Sequence, residues 1–481
     1  MLKKFQIKIK NMPIEVKASA SYTVCSVLQK CLSFITLPLF TRLLTTAQYG
    51  QYTVYMSWTS LLTILITLNL AYGTFQTAMI KFKDKRGEYT SSVCALFLVL
   101  GSLFLLTYLP FCNYWNRLFG LPTYIMVSMV VELIANGATD CWLAKNRFEF
   151  KYKSVIAITL GKAVASPILS LVLVMMVEEK GYARIIGYAA VNSVIGLALL
   201  CRIFSCGKVF FEKTYWRFAL AFNLPLIPYY ISQMIFNASD RIMINYFCGT
   251  NQAAIYGVAY SLSIVLNFVI NAINSSYAPW FFERLEGKEG EKNKEISTSL
   301  AIIVAFGLLG IIAIAPEFIA IMAGSNYMSG VWAVPPVAAS MLLLFYTQIF
   351  DRVLFYYEKK YWLIFCGVIP SLVNLSLNYF YIPKYGFVAA AYTTLISYIL
   401  FAIINYFISR FTLIHKYGSA NIYNIKGITM LFMVFCAASA MLMTLYGRPL
   451  IRYCIITAAF VIAFIKRNMV LGIIKVGGRR K

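Results

Sequence analysis

The stretch LPLIPYYISQMIFNASDRIMINYFCG, residues 224–249, decides the fold class. It is long enough to cross about 30 Å of hydrocarbon at about 1.5 Å per residue. Lipid supplies no hydrogen bonds, so a spanning segment must be a helix or part of a closed barrel. Its apolar residues run on without alternating, which selects a helix. Yet Asp240 and Arg241 stand side by side inside it. A charge near the bilayer centre costs roughly 2.5–3.5 kcal/mol on insertion scales, so the pair calls for a role.

The same pattern extends outward in both directions. Of 481 residues, 60% are hydrophobic and 13% charged, too apolar for a soluble domain. Fourteen spans are expected: 19–40, 52–79, 91–111, 122–144, 154–176, 185–201, 218–247, 253–281, 298–322, 331–351, 362–382, 387–408, 427–446 and 449–465. The last is short and carries Arg452.

Charge placement tests that count, because loops on the cytoplasmic side collect Lys and Arg. With a cytoplasmic N-terminus, the outside segments hold Arg42, Arg117, Lys180, Arg184, Lys384, Arg448 and Arg452. Lys30, Lys162 and Arg241 fall within spans, and every other basic residue falls inside. A wrong span number would scramble this bias. Both termini are therefore expected to be cytoplasmic, in a multi-pass membrane protein. The net charge of +25 follows from these basic loops, which face anionic membrane lipids; nucleic acid is not an expected partner.

No loop is long enough for a soluble catalytic domain. The chain has no Walker A sequence and no Gly-rich strand-turn-helix pattern. The eleven cysteines form no CxxC pair, and the single histidine, His415, has no ligand cluster around it. No cofactor, metal or cleavable signal peptide is expected, and the protein is not expected to be an enzyme.

A weak internal repeat runs through the chain. PLFTRLLTTAQYG (38–50) and SDRIMINYFCGTNQAAIYG (239–257) each place a basic residue upstream of a Tyr-Gly pair. The segments 151–196 and 360–397 share a basic-Tyr start, an apolar span, a Gly-containing turn and an Ala-rich span. These echoes set spans one to six against spans seven to twelve with the same orientation. The expected fold is an all-α polytopic membrane protein of about 14 transmembrane helices. An N-lobe (1–204) and a C-lobe (215–411), each of six helices, surround a central cavity, and two additional spans with a basic tail follow (425–481).

The motifs LPLFTRLLTTAQYGQY, FNLPLIPYYISQMIFNASDRIMINYFCG…AIYGVAY and NLSLNYFYIPKYGFVAAAYTTLISY resemble the Wzx-type polysaccharide flippases of the MOP exporter superfamily. The resemblance covers nearly the whole chain. It implies translocation of an undecaprenyl-diphosphate-linked oligosaccharide from the cytoplasmic to the outer leaflet, for O-antigen, capsule or exopolysaccharide.

The intramembrane charges are the candidate site. A lipid-diphosphate headgroup needs a wet, basic lumen, and Lys30, Arg42, Lys162 and Arg241 are candidates to hold it. Glu132 and Asp140, two turns apart on one helix face, and Asp240 are candidates for coupling or for locking lobes together. Lys30 and Lys162 could instead be neutralised by Glu132 or Asp140. Adjacent helical residues point about 100° apart, so Asp240 and Arg241 should serve different partners, Asp240 locking to Arg42 or another lobe residue. Asp351 and Arg352 are expected to cap span ten. Pro225, Pro228, Pro335, Pro336 and Pro370 are expected to bend their helices. Tyr229 and Tyr230 are candidates to stack on sugars.

Expected partners are the lipid-linked oligosaccharide, anionic lipids, a proton or sodium ion, and other polysaccharide-assembly proteins. The same architecture would also suit a lipid II flippase or a cation-coupled drug exporter. A polymerase or ligase fits poorly, because the outside loops are short.

Overall fold

A computed structural model describes residues 14–465 apart from 72, 73, 288 and 420. The expected inside lysines Lys3, Lys4, Lys8 and Lys10, and the basic tail from Lys466, lie outside the described residues.

The described residues form a succession of helical rods. They are α1 (Ile14–Leu43), α2 (Thr46–Thr67), α3 (Lys83–Phe119), α4 (Thr123–Phe148), α5 (Tyr152–Met176), α6 (Lys180–Gly207) and α7 (Lys213–Cys248). Then comes α8, which runs Thr250–Ser263 and, after a 3-10 turn, Asn267–Glu286. The series ends with α9 (Asn293–Met322), α10 (Ser325–Tyr356), α11 (Lys360–Tyr385), α12 (Phe387–Tyr417), α13 (Ile425–Thr444) and α14 (Pro449–Ile465).

Of these, 12 are long and apolar enough to cross a membrane. The other two are α14, which is short, and α2. The latter carries hydroxyls at Thr53, Ser57, Thr59, Thr63 and Thr67, and each bonds back to the carbonyl four residues earlier. That satisfies polar groups without water and lets a polar helix sit in an apolar setting. Large apolar side chains such as Leu106, Val194, Ile321 and Met430 are largely exposed along the rods, as lipid-facing positions must be.

Several expectations from the sequence are corrected here. The second span does not run 52–79. A capping box between Thr45 and Gln48 starts the helix earlier. It stops at Thr67, because Leu68 and Asn69 adopt left-handed backbone angles (φ 47° and 53°), and a separate short helix, Thr74–Lys81, follows. Arg184, expected in an outside loop, lies within α6 and is buried. Arg452, counted among the outside residues, is wholly buried in α14 and paired with Glu317 of α9. Pro335 and Pro336 do not interrupt a helix. They sit in the first turn of the α-helical part of α10, Val334–Tyr356, where 3-10 geometry gives way to α geometry and proline is tolerated. Asp351 does not cap the end of α10. It is buried inside that helix, and Arg352 beside it donates to the Asn274 carbonyl of α8 (3.3 Å).

The chain divides into two compact units, Met1–Met234 and Ile235–Lys481. The division falls inside α7. The first half of α7 belongs to unit one because Trp216 donates to the Ser92 carbonyl (2.9 Å) and Tyr215 to Glu88 (3.2 Å). Phe82, Tyr89, Tyr215 and Phe218 then form one ring cluster around it.

In unit one, α6 packs on α2, α3, α4 and α5. Close approach is possible because Gly187 faces the Ser170 backbone of α5 and Gly196 faces the Ala135 carbonyl of α4. A Cβ at either position would overlap those atoms. In unit two, α12 packs on α10 and α11, and α13 lies on α9 and α10.

Candidate functional site

In each unit a tyrosine from the second helix clasps a buried carboxylate, Glu132 in unit one and Asp240 in unit two. In unit one, α4 carries Glu132, Asn136 and Asp140 on one face, since four residues make about one turn. Glu132 is fully buried. Tyr55 of α2 donates to its Oε2 (2.5 Å), while Asn136 and Asn192 of α6 both donate to its Oε1 (3.1 Å each). Lys162 of α5 donates to the Asn136 Oδ1 (2.7 Å). Lys162 and Glu132 are thus joined through an amide, whose orientation is fixed by having a cation on one side and an anion on the other. Asp140 sits two turns along, half-buried, under the influence of Lys162 and Arg147.

Sequence reasoning missed the neighbour of this cluster. The Arg184 guanidinium lies over three rings, Phe40 at 4.2 Å, Tyr49 at 4.6 Å and Tyr52 at 3.7 Å. Its Nη1 makes no hydrogen bond. The available signal was the Tyr49–Tyr52 spacing on α2, which puts two rings near one face of a helix that the chain must cover.

In unit two the clasp is built on α7, α8, α11 and α12. Ile235–Ser239 form a π-turn, which shifts the helical register just before Asp240. Asp240 is buried (3% exposed). Its Oδ2 accepts from Tyr256 of α8 (2.6 Å) and Thr394 of α12 (2.8 Å), and its Oδ1 accepts from Asn378 of α11 (2.7 Å). Asn374 donates to Thr394 (3.2 Å), Asn378 donates to the Asn374 Oδ1 (3.3 Å), and Thr393 donates to Asn378. Arg241 turns the other way. It donates to the Asn237 carbonyl and lies over the Tyr260 ring at 5.0 Å. Among the described residues, the donors to Asp240 come from its own unit.

Lys30 and Arg42 occupy exposed positions on α1, Arg42 in its last turn. The expected site residues therefore gather as Glu132 with Lys162 in unit one and as Asp240 beside Arg241 in unit two.

A family model described as polysaccharide biosynthesis protein matches residues 16–285. The chain belongs to this family. A protein of the Lsg locus of Haemophilus influenzae is 23% identical over 370 residues, covering 75% of this chain and 89% of the relative. A membrane protein of the same organism is 22% identical over 369 residues with the same coverage. Among solved structures, the lipid II flippase MurJ in an inward closed conformation aligns at a TM-score of 0.65 and 13% identity, covering 93% of this chain and 99% of that one. An inward-facing multidrug resistance MATE transporter of the MOP superfamily also aligns at 0.65, with 10% identity, covering 84% and 99%. At such identities the likeness is one of fold, and that fold is the one expected from the motifs. For a member of the polysaccharide biosynthesis family, the ionisable clusters inside the rods are the features that ordinary helix packing leaves unexplained.

Proposed function

We propose that this protein is a flippase of the inner membrane, with both termini cytoplasmic. It carries an undecaprenyl-diphosphate-linked oligosaccharide from the cytoplasmic to the outer leaflet by alternating access, for surface polysaccharide assembly. The observation that carries this reading is a polysaccharide-family chain with a transporter fold that keeps Lys162 and Arg241 inside its rods within polar networks. Cations at such positions suit a diphosphate, which takes several charge-assisted hydrogen bonds. Lys30 and Arg42, exposed on α1, are assigned to the same headgroup. The acids Glu132, Asp140 and Asp240 are assigned to coupling and to ordering the helices.

The test is Arg241→Ala in a strain that depends on this chain for its surface polysaccharide. The expected outcome is loss of the polysaccharide with unchanged protein abundance. Lost abundance would assign Arg241 to folding instead. The likeness to a lipid II flippase favours one second reading, in which the cargo is lipid II. Rescue of a strain depleted of its own lipid II flippase would establish that reading in place of the first.

A further inference from the structure

Unit one holds a second basic feature that the transport reading does not use. A cavity of about 510 Å³ opens between α3, α4, α5 and α6, near the α4–α5 turn. Lys145, Lys151 and Arg202 line it, with Glu149 the acid among them. The Glu149 carboxylate is already taken by Lys151 at 2.5 Å. Lys145 and Arg202 make no ion pair among the described residues. The pocket therefore presents two cations without an ion pair, Lys145 and Arg202, and its lining also includes the apolar Ile158 and Ile203.

Local backbone geometry builds this shape. Phe150 takes a left-handed conformation (φ 53°), and the Lys151 amide closes the turn on the Asn146 carbonyl (2.8 Å). That sharp reversal sets Glu149 and Lys151 on the rim. At the far wall α3 and α6 touch backbone to backbone, because Gly207 faces the Gly87 carbonyl with no room for a Cβ. Cations over apolar walls between spanning helices match a phosphorylated lipid, its headgroup on the rim and its chain along the helices.

We propose that this cavity is a binding site for the phosphate headgroup of a lipid, separate from the clasps around Glu132 and Asp240. Two lipids offer that chemistry: an anionic bilayer phospholipid and the phosphorylated carrier of the cargo. The second alone rests on the transport reading.

The purified full-length protein would be equilibrated in detergent with phosphatidylglycerol, phosphatidylcholine or undecaprenyl phosphate, and bound lipid counted by native mass spectrometry. Wild type should retain phosphatidylglycerol or undecaprenyl phosphate over phosphatidylcholine. The Lys145→Gln/Arg202→Gln double variant should lose about tenfold or more of that retention, and Lys145→Arg/Arg202→Lys should keep it. The acidic lipid that survives direct competition identifies the source. Equal retention by the neutralised variant, or equal retention of phosphatidylcholine by wild type, would overturn the proposal. The readout is lipid held by a protein at rest, so its failure would leave the transport reading intact, and failed transport would leave this site standing.

Discussion

The pairing of Lys162 with Glu132 through Asn136 separates structural from functional roles at a single residue. Lys162 is half-buried and reaches Glu132 only through the Asn136 amide. Its removal should cost less than the roughly 3–5 kcal/mol of breaking a direct buried ion pair, yet it leaves the Glu132 carboxylate buried without that cation. Lys162→Met should therefore lower the melting temperature of the detergent-solubilised protein, and adding Glu132→Gln should restore most of it. If Lys162 holds the diphosphate, surface polysaccharide stays absent in the rescued double variant. Recovery of polysaccharide together with stability would reduce Lys162 to a helix tie. Tyr55→Phe is a milder change. It leaves two amide donors on Glu132 and should cost about 1–3 kcal/mol, the range for losing one hydrogen bond to a buried charge, read as a smaller melting shift. The sequence placed Glu132, Asp140 and Lys162 inside spans by hydropathy alone. It could not show that an asparagine one turn away joins two of them, because Asn136 is unremarkable until its neighbours are known.

Single helices show which features a sequence makes legible. Long apolar runs located nearly every rod, since length and hydropathy are set by bilayer thickness rather than by neighbours. The break after Thr67 was hidden, because Leu68 and Asn69 lack the Gly or Pro that usually marks one. The burial of Arg184 and Arg452 was hidden for a related reason. An arginine near a span end reads as a loop residue unless its aromatic or acidic partner, distant in sequence, is known. The small residues of α6 mattered more than hydropathy suggests. Gly196→Leu would drive a side chain into the Ala135 carbonyl, and Gly187→Val into the Ser170 backbone. Overpacking of this kind typically costs 1–3 kcal/mol, and more where backbone must move. Both variants should show reduced folded yield on size-exclusion chromatography. A substitution to Ala at Gly161 of α5, which meets nothing within 4 Å, should leave the yield unchanged.

For the whole molecule, the two clasped acids are not equivalent, and on the proposed transport reading the difference bears on where a coupling ion would bind. Glu132 already has a cation, Lys162, linked through one amide. The groups that donate directly to Asp240 are neutral, namely Tyr256, Asn378 and Thr394, and the Arg241 guanidinium is engaged with Tyr260 and the Asn237 carbonyl. A buried carboxylate among neutral oxygens and amides needs either a proton or a hard cation to offset its charge. The Asn378 amide turns its nitrogen toward Asp240, and the Asn374 amide turns its nitrogen toward Thr394, so among the described residues no fixed cation stands against this carboxylate. Asp240 is therefore the acid expected to titrate or to bind sodium during transport, while Glu132 keeps its proton state. In proteoliposomes carrying the full-length protein, imposing a sodium or proton gradient should accelerate lipid-linked oligosaccharide translocation. Asp240→Asn should abolish that acceleration while leaving the melting temperature within a few degrees, because asparagine preserves the volume and most of the hydrogen bonds. Glu132→Gln should retain the response to the gradient. If the response disappears in Glu132→Gln and persists in Asp240→Asn, the coupling site lies in unit one and the charge argument fails.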